Sequence, residues 1–158
     1  MNPRISSLVA VIGAAVTALS LTSTSGAAGH TQTLRLFDKP VAITLTQASG
    51  KVVTRHPYPQ PKAGDTLDVL SLDYAGNHLH HQRQWKASTH LRCVFKSTGP
   101  PSCESSIAIG SSLLVFSGTP AKLTMGTGIY LGATGRVLSS TEIPGTDNSD
   151  IVAKIQLR

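Results

Sequence analysis

The sequence predicts an all-β domain in which short antiparallel strands form a sandwich or a closed barrel. After residue 30 the polarity of the side chains alternates with a period of two through most of the chain. Turn-forming residues recur between the alternating segments, and no capped segment of helical period follows residue 30. Such a pattern is typical of both architectures. Closure into a barrel removes exposed strand edges, but the alternation alone does not choose between the two.

Residues 1–28 are predicted to be a secretory signal peptide. Arg4 supplies the positive n-region, residues 8–21 the apolar core, and residues 25–28 a cleavage site of small residues. The apolar run is shorter than the roughly 20 residues that a membrane span needs, and no basic stop-transfer cluster follows it. We therefore expect a cleaved, secreted protein with one mature domain at 29–158 and no membrane contact after cleavage.

The chain is basic, with 14 Lys and Arg against 8 Asp and Glu and a formal net charge of +6. The basic residues fall singly along predicted strands and turns, and no recognition-helix pattern is present. The sequence therefore predicts no nucleic-acid partner. A dispersed, solvated surface is the favoured interpretation, and weak attraction to acidic wall polymers is the alternative.

The first half of the mature chain contains three predicted strands. Residues 33–37 and 41–46 alternate in polarity and are predicted to be two strands, with Asp38-Lys39-Pro40 between them. Prolines at every second position within residues 47–64 remove ladder donors, which predicts an extended loop or an edge segment. Residues 66–74 then form a longer strand that ends in Asp73-Tyr74.

The clearest strand covers residues 85–95, which alternate without interruption. Trp85 begins its apolar face and is predicted to be core. Cys93 lies on the same face, and Cys103 follows the predicted turn at 96–102. An even pair of cysteines in an exported chain usually bonds, and closing so short a loop gives roughly 2.5–3 kcal/mol. The spacing does not fit zinc, and a catalytic thiol would need an unpaired cysteine.

The second half continues with strands and turns. The predicted strands cover residues 103–109, 112–117, 121–125, 136–143 and 151–157, with a turn at 144–148. Between two of them lies the glycine-rich segment 126–135, GTGIYLGATG. Glycines clustered between strands indicate positive φ angles or a close approach of two backbones. We therefore expect a tight crossing there, with Tyr130 held against the body of the fold.

The order of these landmarks resembles a known family. Gly64-Asp65 leads into the strand ending in Asp73-Tyr74, two cysteine-bearing strands follow, and Ser117-Gly118 precedes the glycine-rich segment. That segment resembles the signature G-T-G-x-Y/F-x-x-A-x-G of the allene oxide cyclase and dirigent-protein superfamily, specifically of its small secreted bacterial members. The resemblance covers roughly residues 64–157. It implies an eight-stranded, calycin-like antiparallel barrel with a central cavity, and a homo-oligomer as in the often trimeric plant members.

The resemblance also implies a function class. A barrel of this kind would bind a small apolar or phenolic molecule and steer its cyclisation or coupling by fixing one conformer, an isomerase- or cyclase-like activity that needs no cofactor. The plant cyclases carry an acidic, Asn-containing motif on the first strand, and residues 34–40 contain neither its Glu nor its Asn. No catalytic residue is therefore carried over. The alternative is a non-catalytic exported structural or interaction domain whose barrel is filled by side chains.

Four residues are candidates for ligand binding: Asp73, Tyr74, Tyr130 and Glu142. Asp73 beside Tyr74 would polarise a hydroxyl or a quinone at the mouth of a barrel. The alternative is that Asp73 begins a turn, a position in which Asp is common. Tyr130 either lines the cavity or packs and bonds its hydroxyl locally. Glu142 is either inside the rim or solvated at a strand end. The histidine cluster at 78–81 is predicted to be a polar loop, and no metal site is expected.

Overall fold

The computed structural model describes residues 29–158, and the predicted signal peptide lies outside them. The described part of the chain is all-β, with a single 3-10 turn as its helical element. Among these residues no helix has the length and apolar character that crossing a membrane would require. The strands are β1 (Thr31–Thr46), β2 (Val52–Val53), β3 (Thr66–Gly76), β4 (His81–Val94), β5 (Ser102–Ile109), β6 (Ser112–Ser117), β7 (Lys122–Gly126), β8 (Thr134–Glu142) and β9 (Ser149–Gln156).

The strands close into a barrel. From β3 to β9 each strand pairs antiparallel with the next, and β1 pairs with both β3 and β9. Eight strands thus form the wall, while the two-residue β2 is added at the end of β1, opposite Leu45 and Thr46. The predicted fold class is confirmed, and the ring of pairings selects the barrel over the sandwich. Every wall strand has two neighbours, so the wall has no free edge.

The predicted separation of two strands at Asp38-Lys39-Pro40 is wrong. These residues lie inside β1, a continuous strand of 16 residues. The pairing of β1 with β3 shifts between Pro40 and Ala42, which makes Val41 the extra residue of a β-bulge. Proline, which has no N–H to donate, is tolerated at such a position. Because of this bulge, the inward face of β1 continues across the residues that interrupt its alternation of polarity.

The prediction that Trp85 is core is also wrong, since its side chain is 59% exposed. The register between β3 and β4 shifts at this point: Asp73 lies opposite Ala87, but Tyr74 lies opposite Trp85. One additional residue of β4, Lys86, is accommodated between these pairs. Trp85 therefore faces outward with Tyr74, whereas Ala87 faces the barrel interior. A bulge reverses the side of every residue beyond it, and alternation in the sequence does not reveal it.

One end of the barrel is filled by side chains. The residues of this packed end are nearly inaccessible to solvent and form one cluster: Leu36, Ala87, Ile107, Leu114, Phe116, Tyr130, Ala153 and Ile155. The glycine-rich segment closes this end, as its composition predicted. A Cβ at Gly126 would collide with the backbone of Tyr130, and Gly128 has a φ of +58°. The chain can therefore turn tightly and place the Tyr130 ring, 2% exposed, in the core.

The predicted disulfide is confirmed. Cys93 of β4 and Cys103 of β5 are directly opposite in the ladder, with Cα atoms 4.1 Å apart. The bond clasps the hairpin that joins the two strands. Both cysteines of the described chain are used in it.

Candidate functional site

A cavity of about 440 Å³ lies at the end of the barrel opposite the packed end. It opens between the second half of β1, the first half of β3, the β8–β9 turn and the proline-rich segment that precedes β3. Its inner wall is aliphatic and consists of Ile43, Leu45, Leu67, Val69 and Leu91. Tyr58, Pro59, Gln60 and Pro61 cover one side of it. The alternation of strand residues produces this wall, because every second side chain of β1, β3 and β4 faces inward.

Two carboxyl groups meet where the cavity borders the packed end. Asp38 of β1 and Asp73 of β3 are direct cross-strand partners, and their carboxyl groups interact with each other. Asp38 is 7% exposed and Asp73 is 0% exposed. Asp38 lines the cavity, whereas Asp73 lies behind it in the wall. The Asp73 carboxyl accepts a hydrogen bond from Thr89 Oγ1 at 2.7 Å.

Burial and, to a smaller extent, the neighbouring Asp38 raise the pKa of Asp73 to about 7, against the hydrogen bond from Thr89, which lowers it. Burial also raises the pKa of Asp38, while its hydrogen bonds with Asp73 and Ser71 act in the opposite direction. Two carboxylates in contact inside a protein resist carrying two charges, so the pair titrates as one unit. Below about pH 7 the pair therefore retains a proton, which favours Asp73. It offers a hydrogen-bond donor and an acceptor at the same place.

One oxygen of this pair, Asp73 Oδ1, is buried and has no hydrogen-bond partner among the described residues. Leaving a buried polar atom unsatisfied costs about 1–3 kcal/mol, and more for a charged group. Such an atom is typical of a group kept for chemistry or of a site completed by another molecule. The acid pair therefore contains the buried side-chain atom that lacks a hydrogen-bond partner in the described part of the chain.

The acid pair belongs to a polar belt around the interior of the cavity. Ser149 of β9 is the direct partner of Asp38 on one side and of Glu142 on the other. Direct cross-strand partners have Cβ atoms about 4.5–5.5 Å apart. Glu142, Ser149 and Asp38 all line the cavity and follow one another on three adjacent strands, with Asp73 on the fourth. The belt separates the packed end from the aliphatic mouth.

The structure brings two of the four predicted ligand-binding residues to this belt. Asp73 lies in its buried part, and Glu142 lies at its exposed rim. A register shift between Val137 and Ser139 returns Glu142 to the inside, even though the half-buried Val137 packs against the core. The role of both residues in binding stays a prediction.

Neither tyrosine of the predicted set lies in the cavity. Tyr74 lies on the outer surface in an aromatic cluster with Phe37 and His81, and the Lys39 ammonium is 5.7 Å from its ring centre. Tyr130 packs in the core at the other end, where burial raises the pKa of its hydroxyl. Local packing, the alternative weighed for Tyr130, is therefore its observed environment.

The outer aromatic cluster is held down by the β3–β4 turn. The His78 backbone N–H donates to Asp150 Oδ1 at 2.7 Å, and its Nδ1 lies 2.6 Å from Asp150 Oδ2. These contacts fold the turn across the outside of β1 and bury Phe37 beneath it. The histidine cluster is thus a polar turn, as predicted. In residues 29–158 no three His, Cys, Asp or Glu side chains are grouped so that they could hold a metal ion.

The cavity residue that the sequence analysis did not identify is Asp38, which it placed between two strands. The available signal was the period of two, since Leu34, Leu36 and Asp38 continue one face. Extending the strand through Pro40 would have put a carboxylate in the barrel opposite Asp73.

These features define a class: an antiparallel eight-stranded barrel, packed at one end and hollow at the other, with a buried acid pair between the two. The class is that of barrels able to hold a small ligand.

Comparison with known proteins supports the same fold. No protein-family model matches the chain, and no curated protein matches it in sequence. A solved structure titled "Pyocyanin demethylase" is similar to it, with a TM-score of 0.56 and 15% sequence identity. The similarity covers 80% of this chain and 100% of that chain. At this identity the likeness shows a shared barrel fold, and these findings do not assign the chain to the allene oxide cyclase and dirigent superfamily.

Proposed function

We propose that this barrel binds a small, largely apolar or phenolic molecule in its cavity, and that the Asp38–Asp73 pair steers an isomerisation or cyclisation of that molecule by moving protons. The observation that carries the proposal is the buried acid pair at the inner end of an aliphatic cavity. Catalytic groups tuned toward neutral pH are typical of acid–base chemistry.

The lining of the cavity supports the ligand class. Five aliphatic side chains and three prolines favour an apolar body, and Tyr58 adds an aromatic surface. The polar groups are concentrated in the belt, so one end of the ligand would carry the oxygen atoms. A phenol or enol can donate to the charged carboxyl of the pair, and a quinone or ketone can accept from the protonated one. The cavity would thus orient the ligand along the barrel axis.

The acid pair supports a redox-neutral reaction. The Asp38 carboxylate accepts a proton from one atom of the ligand and returns a proton to another atom, while Asp73 keeps its own proton. Atoms and charge balance within the pair and the ligand, so no oxidant, reductant or cofactor enters. Since Asp38 lines the cavity and Asp73 does not, Asp38 would exchange protons with the ligand and Asp73 would store one.

Family membership and export are part of the proposal. The glycine-rich segment supports a place in the allene oxide cyclase and dirigent superfamily. The similar barrel titled as a demethylase acts, by its title, on a small molecule, pyocyanin. Residues 1–28 have the pattern of a signal peptide, and the Cys93–Cys103 disulfide is typical of an oxidising compartment.

A second candidate is a non-catalytic exported interaction domain. The observation that favours it is the packed end, where Phe116 and Tyr130 fill the interior as in a barrel that holds nothing. A ligand-free barrel would leave the cavity occupied by water alone.

The test compares neighbouring positions on β3. Val69 faces the cavity and Leu70 faces outward at 49% exposure, so Val69→Trp fills the cavity while Leu70→Trp adds the same side chain outside it. We expect 2-naphthol to bind the original protein and Leu70→Trp equally, and Val69→Trp at least ten times more weakly. Asp38→Asn should keep the fold and change the pH dependence of binding. Equal binding to both tryptophan variants would reject the cavity as the site.

A second measurement separates the two candidate functions. Native mass spectrometry of the protein purified from culture supernatant reports retained small molecules and the number of subunits. A retained phenolic or apolar compound that Val69→Trp fails to retain supports ligand binding. Protein that carries nothing and does not bind 2-naphthol supports the non-catalytic domain.

A further inference from the structure

A row of three basic side chains crosses the outside of the barrel. Lys122 of β7 is the direct partner of Arg136 on β8, and Arg136 is the direct partner of Lys154 on β9. All three are exposed. Adjacent strands are about 4.8 Å apart, so the three positions span roughly 10 Å. Arg35 of β1, also exposed, lies diagonally beyond Lys154, whose direct partner is Thr33. We call Lys122, Arg136 and Lys154 the basic row.

No acidic side chain neutralises the basic row within the part of the chain that the structure describes. The ion pairs found there join His78 to Asp150 and His90 to Asp68, and neither includes a residue of the row. Like charges placed directly opposite each other in a sheet are destabilising. The arrangement therefore costs free energy in the protein alone, and an anion lying across it would offset that cost.

The surface between these residues is concave. A shallow groove of about 350 Å³ is lined by the basic row together with Gly135 and Gln156. Strands β7 and β8 share only the Lys122–Arg136 ladder pair, and the Val137 N–H donates to Ala121 O on one side of it. The ladder between these two strands does not extend beyond this pair. The charged lining of the groove is all cationic, and Gln156 adds an amide donor.

We propose that the basic row binds a linear polyanion whose repeating charged groups are phosphates. The guanidinium of Arg136 can hold one phosphate with two hydrogen bonds, and the flanking lysines supply point charges for the next groups on either side. One phosphate would reach only two members of a row about 10 Å long, so a chain matches the geometry better than a single ion. The inward neighbours Ala153 and Ile155 belong to the packed core, which separates this surface from the cavity. The site is independent of the proposed small-molecule function.

The test replaces the basic row and compares it with an equal loss of charge elsewhere. The row variant carries Lys122→Gln, Arg136→Gln and Lys154→Gln. The control variant carries Lys51→Gln, Arg55→Gln and Lys96→Gln, which are exposed positions outside the barrel ladders. Each variant removes three positive charges from a protein of formal charge +6, leaving +3. Far-UV circular dichroism and thermal unfolding check that both variants fold.

The probe is medium-chain inorganic polyphosphate, measured by isothermal titration calorimetry at several salt concentrations. We expect the row variant to bind at least ten times more weakly and the control variant within threefold of the original protein. The slope of log Kd against log salt concentration should fall by about 2 in the row variant, since each contact to a flexible anionic chain contributes about 0.7. Equal losses in the two variants would mean attraction by net charge alone and would overturn the proposal. Orthophosphate binding as tightly as the chain would overturn its polymeric part.

Discussion

Replacing Asp73 by Asn should change how the stability of the barrel depends on pH. The folded protein holds the Asp73 proton until its pKa of about 7, whereas an unfolded Asp releases it near 3.8. The stabilisation that this proton provides is therefore complete below about pH 3.8 and is lost as the pH rises through about 7. Asn cannot ionise, and its amide can accept from Thr89 Oγ1 and donate to Asp38. The variant should lack this loss.

The magnitude follows from the pKa difference. The rise from 3.8 to about 7 is roughly three powers of ten in proton affinity. Each power of ten is worth about 1.4 kcal/mol, which gives an upper limit of about 4 kcal/mol. Since the coupled Asp38 shares the pair's charge, we expect about 2–4 kcal/mol of the pH dependence to disappear. Relative to the original protein, Asp73→Asn should gain that amount between pH 4 and pH 8.

Urea unfolding followed by circular dichroism at several pH values between 4 and 8.5 measures this difference. The matched control is Asp147→Asn, an exposed residue of the β8–β9 turn, which should leave the pH dependence as it is. If Asp73→Asn and the original protein lose stability in parallel from pH 5 to pH 8, the acid pair does not hold its proton as described. The assignment of proton chemistry to the pair would then fail with it.

Three further predictions concern the wall of the barrel. Replacing Cys93 and Cys103 by Ser should lower the free energy of unfolding by about 2.5–3 kcal/mol, because the unfolded chain loses the constraint of the disulfide. Urea unfolding measures this difference, and an unchanged midpoint would contradict the prediction. Tyr130→Phe, which keeps the ring and loses only the hydroxyl, should lower the free energy of unfolding by at most about 1 kcal/mol, while Tyr130→Ala should lower it by about 3–5 kcal/mol. Urea unfolding measures both, and similar values would show that the ring does not pack. Gly126→Ala should lower the free energy of unfolding by about 1–3 kcal/mol, because its Cβ would collide with the Tyr130 backbone. At Gly99 a Cβ has open space, so Gly99→Ala should lose only the energy of placing alanine at a positive φ. Thermal unfolding compares the two variants, and a larger loss of stability at Gly99 would contradict the crowding at Gly126.

Much of the architecture follows from local pattern. Alternation over residues 66–74, 103–109 and 112–117 predicted three strands almost at their observed limits. The glycines of the segment 126–135 predicted a crossing, because only glycine fits a positive φ or a contact between backbones. The cysteine pair predicted the disulfide that cross-links one hairpin. These features depend on residues that are close to each other in the sequence, so they can be recognised from the sequence alone.

Which candidate residues face the cavity depends on the pairing register of the strands, and the sequence indicates that register only weakly. Bulges at Val41, at Lys86 and beside Leu138 each reverse the side on which the following residues lie. They turn Trp85 outward and bring Glu142 inside.

The sequence by itself determined an all-β chain, most of its turns and its disulfide, because periodicity and special residues act locally. Only the tertiary structure decided that the ring closes, that one end is packed and the other hollow, and that Asp38 meets Asp73 across β1 and β3. Two carboxyl groups 35 positions apart in sequence become one titrating unit only when pairing between strands removes both from water.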